Sequence, residues 1–189
     1  MTKVSFDASL GLFMPWPVVL VSVADPAHQR TNLITIGAVS PTCAQPPTLG
    51  IAVTPARYSY GLLQEAGEYV VNIPTVGLAE AVDYCGSVSG RDVDKFQAAG
   101  LTPVPSRTVL CQAVGECPIN LECRVTQVAQ LGSHDFFFGE IVAAQVSAEV
   151  VTDGKHPDAE QFDLYVGVRG VYRAVAGAIG RYGFGKDVS

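Results

Sequence analysis

Val18-Val19-Leu20-Val21-Ser22-Val23-Ala24 is a run of β-branched and aliphatic residues that stops at Asp25-Pro26. Branching at Cβ costs rotamer freedom in a helix and packs well on a pleated surface, so the run reads as a strand closed by a turn. A polar link, His28-Gln29-Arg30, leads to residues 32–39, a second strand that forms a hairpin with the first. Pro41, Pro46 and Pro47 then interrupt, which predicts a rigid loop over residues 41–47. Residues 48–54 are a third strand, ended by Pro55.

The pattern then alternates between short helices and strands. Tyr58–Ala66 carries Leu62, Leu63 and Ala66 on a helical repeat, and Gly67 is its stop signal. Glu68–Ile73 is a fourth strand before Pro74. Residues 75–85 fit an amphipathic helix, residues 86–90 a flexible break, and residues 92–99 a further helical turn or two before Gly100. Ile119, Leu121, Cys123 and Val125 alternate with Asn120, Glu122, Arg124 and Thr126, as in a half-buried strand. The phase slips at Gln127-Val128, which predicts a bulge. Residues 136–146 form a long apolar strand with Gly139 inside it, and a polar tail from Asp153 regains apolar residues over 164–178. With no repeat and no clean linker, the 189 residues read as one domain, 1–189, mainly β with short helices: an antiparallel barrel with helical insertions.

Composition narrows the function. The chain is 48% hydrophobic and only 16% charged, with net charge -6. That charged share is well below the usual quarter, so part of the surface is expected to be covered by a second subunit, a flat ligand or a membrane. Residues 10–24 are apolar but too short to span a bilayer. Lys3 before them and the small residues at 21–24 resemble a secretory signal, but Asp7, Pro15 and Pro17 do not suit one, so no membrane or export role is expected. Twelve Lys and Arg residues without a run offer no basic footprint for nucleic acid. Five cysteines, odd in number and without Cys-x-x-Cys, read for the most part as small buried residues of a reducing cytoplasm, with a redox-active thiol pair as the lesser alternative, and three scattered histidines as no metal site.

No Rossmann glycine fingerprint and no phosphate-binding Walker loop occur, and Gly86-Ser87-Val88-Ser89-Gly90 has Val88 where a hydrolase elbow needs serine. What stands out is Thr31, Thr35, Ser40, Thr42 and Thr54 followed by Arg57-Tyr58-Ser59-Tyr60 at a helix start. Hydroxyls, an arginine and free helix N–H groups can make an anion site for a phosphate. Equally, threonine favours strands and Ser59 can cap a helix.

Several segments recur in the order seen in a known family. They are Pro17-Val18-Val19-Leu20-Val21-Ser22, Thr31-Asn32-Leu33-Ile34-Thr35, Ser40, Pro46-Pro47 and Glu68-Tyr69-Val70-Val71-Asn72-Ile73-Pro74. Ser89-Gly90-Arg91-Asp92-Val93-Asp94-Lys95-Phe96 and Gly132-Ser133-His134 complete the series. Over roughly residues 10–175 the chain resembles the flavin reductase-like family, in its flavoredoxin branch. The resemblance implies a split β-barrel that holds FMN, with FAD as the alternative flavin, at a homodimer interface. It implies that the Thr31 to Ser40 stretch, with Thr31, Asn32, Leu33, Thr35, Ile36 and Ser40 as its contacts, edges the isoalloxazine, and that backbone groups and Thr35 or Ser40 meet its polar rim. Thr54, Arg57, Tyr58 and Ser59 would bind the ribityl chain and phosphate, Ser89 would be a further cofactor-binding residue, and Lys95 and His134 would be catalytic groups beside the flavin. Read without the family, Lys95 is a solvated helix residue and His134 a loop hydrogen-bonder. The Phe136-Phe137-Phe138 run reads as packing rather than flavin stacking. The family commonly carries Gly-Asp-His where this chain has Gly132-Ser133-His134, so a carboxylate is missing unless Asp135 supplies it. The expected activity is hydride transfer from NAD(P)H to flavin, with electrons passed to free flavin, a disulfide or an acceptor protein. The alternatives are an FMN electron carrier reduced by another protein and a cofactor-free ligand-binding barrel.

Overall fold

A computed structural model describes residues 2–5, 7, 14–158, 160–180 and 182–187; the first residues of the 10–24 run lie outside them. After a two-residue strand β1 (Trp16–Pro17), β2 (Val19–Asp25) and β3 (Arg30–Ile36) form the expected antiparallel hairpin. β2 is an almost unbroken apolar run because both of its faces are covered. Val19, Val21 and Val23 enter one core, while Leu20 enters a second with Val18, Leu33, Val82, Cys85 and Phe96.

The second strand stops at Ile36, short of Val39. The segment expected as a loop is instead β4 (Val39–Ala44), paired with β5 (Pro47–Val53) around the Gln45-Pro46 turn. The prolines mislead because β4 lies at the sheet edge, where a missing N–H donor breaks no ladder. A register shift between Pro41 and Cys43 absorbs the remaining misfit.

Helix α1 (Tyr58–Ala66) ends on Gly67 in the left-handed conformation, and β6 (Glu68–Ile73) follows. The next helix begins later than its apolar spacing predicts. Residues 76–78 form a 3-10 turn, and α2 (Ala79–Ser87) runs two residues past Cys85 into the expected break. Only Lys95–Ala98 of the 92–99 segment is helical, as α3, with the Asp94 carboxylate capping the Phe96 and Gln97 N–H groups. A small ribbon of β7 (Pro103–Val104) and β8 (Ala113–Val114) leads to the long strands β9 (Ile119–Gln130) and β10 (Asp135–Val146). The extra residue in β9 is Thr126, just before the predicted slip. The tail forms a hairpin of β11 (Tyr165–Val168) and β12 (Val171–Ala174), which joins β1. Apolar content alone did not reveal that pairing.

Among the described residues seven strands make one antiparallel sheet in the order β3-β2-β6-β9-β10-β5-β4. It rolls on itself: the Ala52 N–H donates to the Ala38 carbonyl at 2.9 Å, and Ile34 and Ile36 share a core with Leu49, Ile51 and Val53. Gly139 makes room for the buried Tyr69, since a Cβ there would sit 2.6 Å from Tyr69 Oη. No helix among the described residues is long and apolar enough to cross a membrane. Cys85, Cys111, Cys117 and Cys123 are buried free thiols and Cys43 is exposed. Burial pushes Cys85 up to about 11 and Cys111 and Cys123 to about 12, which makes them poor nucleophiles at neutral pH.

β9 differs from a half-buried strand: Asn120 and Glu122, on its polar face, are buried beneath the 105–118 segment. Glu122 accepts the N–H groups of Arg107 and Thr108 and the Thr108 hydroxyl, each at 2.7 Å, so one carboxylate anchors a segment with little secondary structure of its own. Burial alone would raise its pKa, but these hydrogen bonds hold it below the ordinary glutamate range. Its stabilisation is therefore full above about pH 4.3, the unfolded value, and is lost as pH falls through the depressed folded value. Glu122→Gln should cost about 2 kcal/mol in urea unfolding at pH 7 and progressively less as pH drops below about 4. An equal loss at both pH values would contradict this role.

Candidate functional site

Where β3 passes the N-terminus of α1 and the end of α2, two cavities of about 200 and 140 Å³ share Ile34 and Arg57 and so form one groove. Their combined size falls within the few-hundred-Å³ range of small-molecule sites. The larger end is bounded by Ala56 to Ser59, by residues 85–90 and by Lys95. The smaller is bounded by residues 34–38, Ala52 to Thr54 and His134. The two walls come from segments some 30 residues apart in the chain, brought together because α1 and α2 both pack on the β2–β3 hairpin.

The larger end is built for an anion. α1 begins at Tyr58 after Arg57, and no side chain caps it, so its first N–H groups and partial positive charge are left to a ligand or water. The Arg57 side chain is exposed and makes no hydrogen bond or ion pair among the described residues. Lys95 is no solvated helix residue: it is 4% exposed, and its ammonium donates to the Leu33 and Cys85 carbonyls, both at 2.7 Å. Burial lowers its pKa to about 8, with Cys85 opposing the shift and Arg57 adding to it, so the group still carries its charge at neutral pH. Gly90 must lack a side chain, because a Cβ there would overlap the Asn32 amide.

The structure brings Thr35, Ile36, Thr54, Arg57, Tyr58, Ser59, Ser89, Lys95 and His134 to the groove and leaves others aside. Thr31 is buried, its hydroxyl accepting the Gln112 N–H. Leu33 is a core residue that offers only its carbonyl, to Lys95. Ser40 lies in a neighbouring apolar hollow with Trp16 and Phe136. Asn32 stands behind the groove and donates to Ser59 Oγ at 2.7 Å, so Ser59 braces the wall rather than capping α1. The Thr35 hydroxyl donates to the Val82 carbonyl at 2.5 Å, which fixes β3 against α2. The Tyr58 hydroxyl donates away from the groove, to Asp25.

His134 is exposed at the rim, with Ser133 Oγ 2.9 Å from Nδ1. Asp135 does not stand in for the absent carboxylate, since it is buried and accepts the Tyr60 hydroxyl at 2.5 Å. Phe137 is fully buried in the core, while Phe136 and Phe138 stack on each other on the opposite face of β10. Ala56, Ser87 and Val88 were not expected at a flavin site from sequence, and Ile34, which touches both cavities, was expected only as part of the 31–40 stretch. An apolar strand residue reads as core, and loop backbone carries no residue-type signal. The groove thus offers positive charge and free N–H groups at one end and a largely uncharged wall with one imidazole at the other. That fits an elongated ligand with an anionic tail and a flat body.

Comparison with known proteins assigns the fold. Residues 10–167 match the flavin reductase-like domain family. An uncharacterized protein of Archaeoglobus fulgidus is 37% identical over 130 residues, covering 69% of this chain and 72% of that protein. Flavoredoxin from Methanosarcina acetivorans superposes with a TM-score of 0.89 at 30% identity, covering 100% of both chains. Flavoredoxin of Desulfovibrio vulgaris (Miyazaki F) does so with a TM-score of 0.88 at 29% identity, covering 98% of this chain and 100% of that one. The sheet that rolls from β3 round to β4 is thus the split barrel of those proteins, and the chain belongs to the flavin reductase-like family.

Proposed function

We propose that the groove holds FMN, with the phosphate at the first turn of α1 and the ring system toward Thr35, Thr54 and His134. The protein would then take hydride from NADH or NADPH and pass electrons to free flavin, a disulfide or a partner protein. The observation that supports this reading is the polarity of the groove: Lys95 and an uncapped helix start line the larger end, Arg57 stands where the two cavities meet, and the rest of the smaller end is uncharged strand wall with the His134 imidazole. When bound, the flavin supplies the two-electron chemistry, and the protein positions it and tunes its charge.

Each residue then has a physical task. Arg57 and the α1 N–H groups neutralise the phosphate. Lys95, held on two carbonyls in the larger cavity, adds a fixed positive charge to the phosphate end. His134 has Nδ1 engaged by Ser133, so Nε2 is the nitrogen left to meet a nicotinamide at the rim. Pairing with a second copy across the exposed Val128, Leu131 and Val146 would cover apolar surface and account for the low charge.

Purified protein mixed with FMN should acquire the absorbance of bound flavin and bleach on rapid mixing with NADH or NADPH. His134→Ala should slow that bleaching by about tenfold or more while leaving the flavin bound. Bound flavin that neither nucleotide bleaches would overturn the hydride step and make the protein a carrier reduced by a partner. Light scattering should give twice the mass of the chain; a monomer would contradict the dimer.

A further inference from the structure

The most heavily bonded charge near the groove does not line it. Asp25, the last residue of β2, has a fully buried side chain. Its carboxylate accepts the Tyr58 hydroxyl at 3.0 Å, lies 3.0 Å from His28 Nδ1 through each oxygen, and is 3.6 Å from Arg30 Nε. Burial would raise its pKa, but the bonds to His28 and Tyr58 hold it below the ordinary aspartate range. A buried carboxylate costs several kcal/mol of desolvation and persists only where its partners are worth that cost. A hairpin end of this kind needs no buried charge for its own sake, because its turn is open to water.

The partners of Asp25 lead to both walls of the anionic end. Tyr58 is the first residue of α1 and lines the cavity. Arg30, opposite Asp25 in the hairpin register, reaches on to donate from its terminal nitrogen to the Gly90 carbonyl at 2.5 Å. Gly90 lines the other wall, and Arg91 lies 5.4 Å above the Tyr58 ring, tying the two walls directly. The Gly90 carbonyl would present partial negative charge to a bound anion, and the guanidinium engages it.

Resting on the FMN reading above, we infer that Asp25, through Arg30 and Tyr58, is a positioning residue that sets the spacing and charge of the phosphate end without touching ligand. The network acts on the phosphate and not on the ring, which separates it from a merely structural clamp. Asp25→Asn leaves a buried amide among its former partners and can loosen the hairpin, so Arg30 and Tyr58 are the better probes.

The test compares FMN with riboflavin, which lacks the phosphate, by equilibrium titration of the flavin-stripped protein. Arg30→Met should weaken FMN by roughly tenfold and Tyr58→Phe by about threefold, with riboflavin affinity changed less than about twofold in both. Arg30→Lys, which keeps the charge, should recover part of the FMN preference. If FMN and riboflavin weaken together, or neither weakens, the inference is overturned while the flavin reading stands. A wild-type protein that takes up no FMN overturns both.

Discussion

A buried ammonium must find acceptors, and Lys95 finds two backbone carbonyls on different elements: Leu33 of β3 and Cys85 of α2. Three pieces of chain, β3, α2 and α3, are joined at one nitrogen, and that nitrogen lies at the floor of the groove. The bond from Thr35 to the Val82 carbonyl runs parallel to it and holds the same strand to the same helix. Removing the ammonium would take the donor from two buried carbonyls, a cost of about 1–3 kcal/mol for each one left unsatisfied. The chain tolerates a buried cation here because its acceptors are fixed by secondary structure and a ligand anion can complete its surroundings.

From that joint the rest of the site follows. The β2–β3 hairpin packs against α1 on one face and α2 and α3 on the other, so the gap between the helices opens over β3. The uncapped start of α1 and the 87–90 segment become the two lips of that gap. The rolled sheet brings Thr54 and the β9–β10 turn, with His134, to its far end. Lys95 and the uncapped start of α1 lie at one end, Arg57 stands where the two cavities meet, and His134 marks the far end.

Much of this was legible in sequence wherever the signal was local. α1 and β6 match their expected bounds because a helical repeat with a glycine stop and a β-branched run before proline both act within a few residues. β4 was not legible, because Pro41 and Pro46 read as a loop until the strand is known to be an edge. The polar face of β9 read as solvent-facing, because the segment that buries Asn120 and Glu122 is recognisable only once folded. The fold brings Arg57, Lys95 and His134 to the groove, the last two named through the family resemblance. Thr31 stands apart from the cavity linings, because its hydroxyl accepts a backbone N–H of a distant loop. Ile34 fell within the 31–40 stretch that the resemblance set along the ring, but nothing in an isoleucine by itself distinguishes a groove wall from a core.

The most direct test of the account is a crystal structure of the protein grown with FMN. It should place the phosphate between the first turn of α1 and residues 87–90, within hydrogen-bonding reach of Arg57, and the ring beside Thr54 and His134. A flavin bound elsewhere, or with its phosphate away from that cleft, would contradict it.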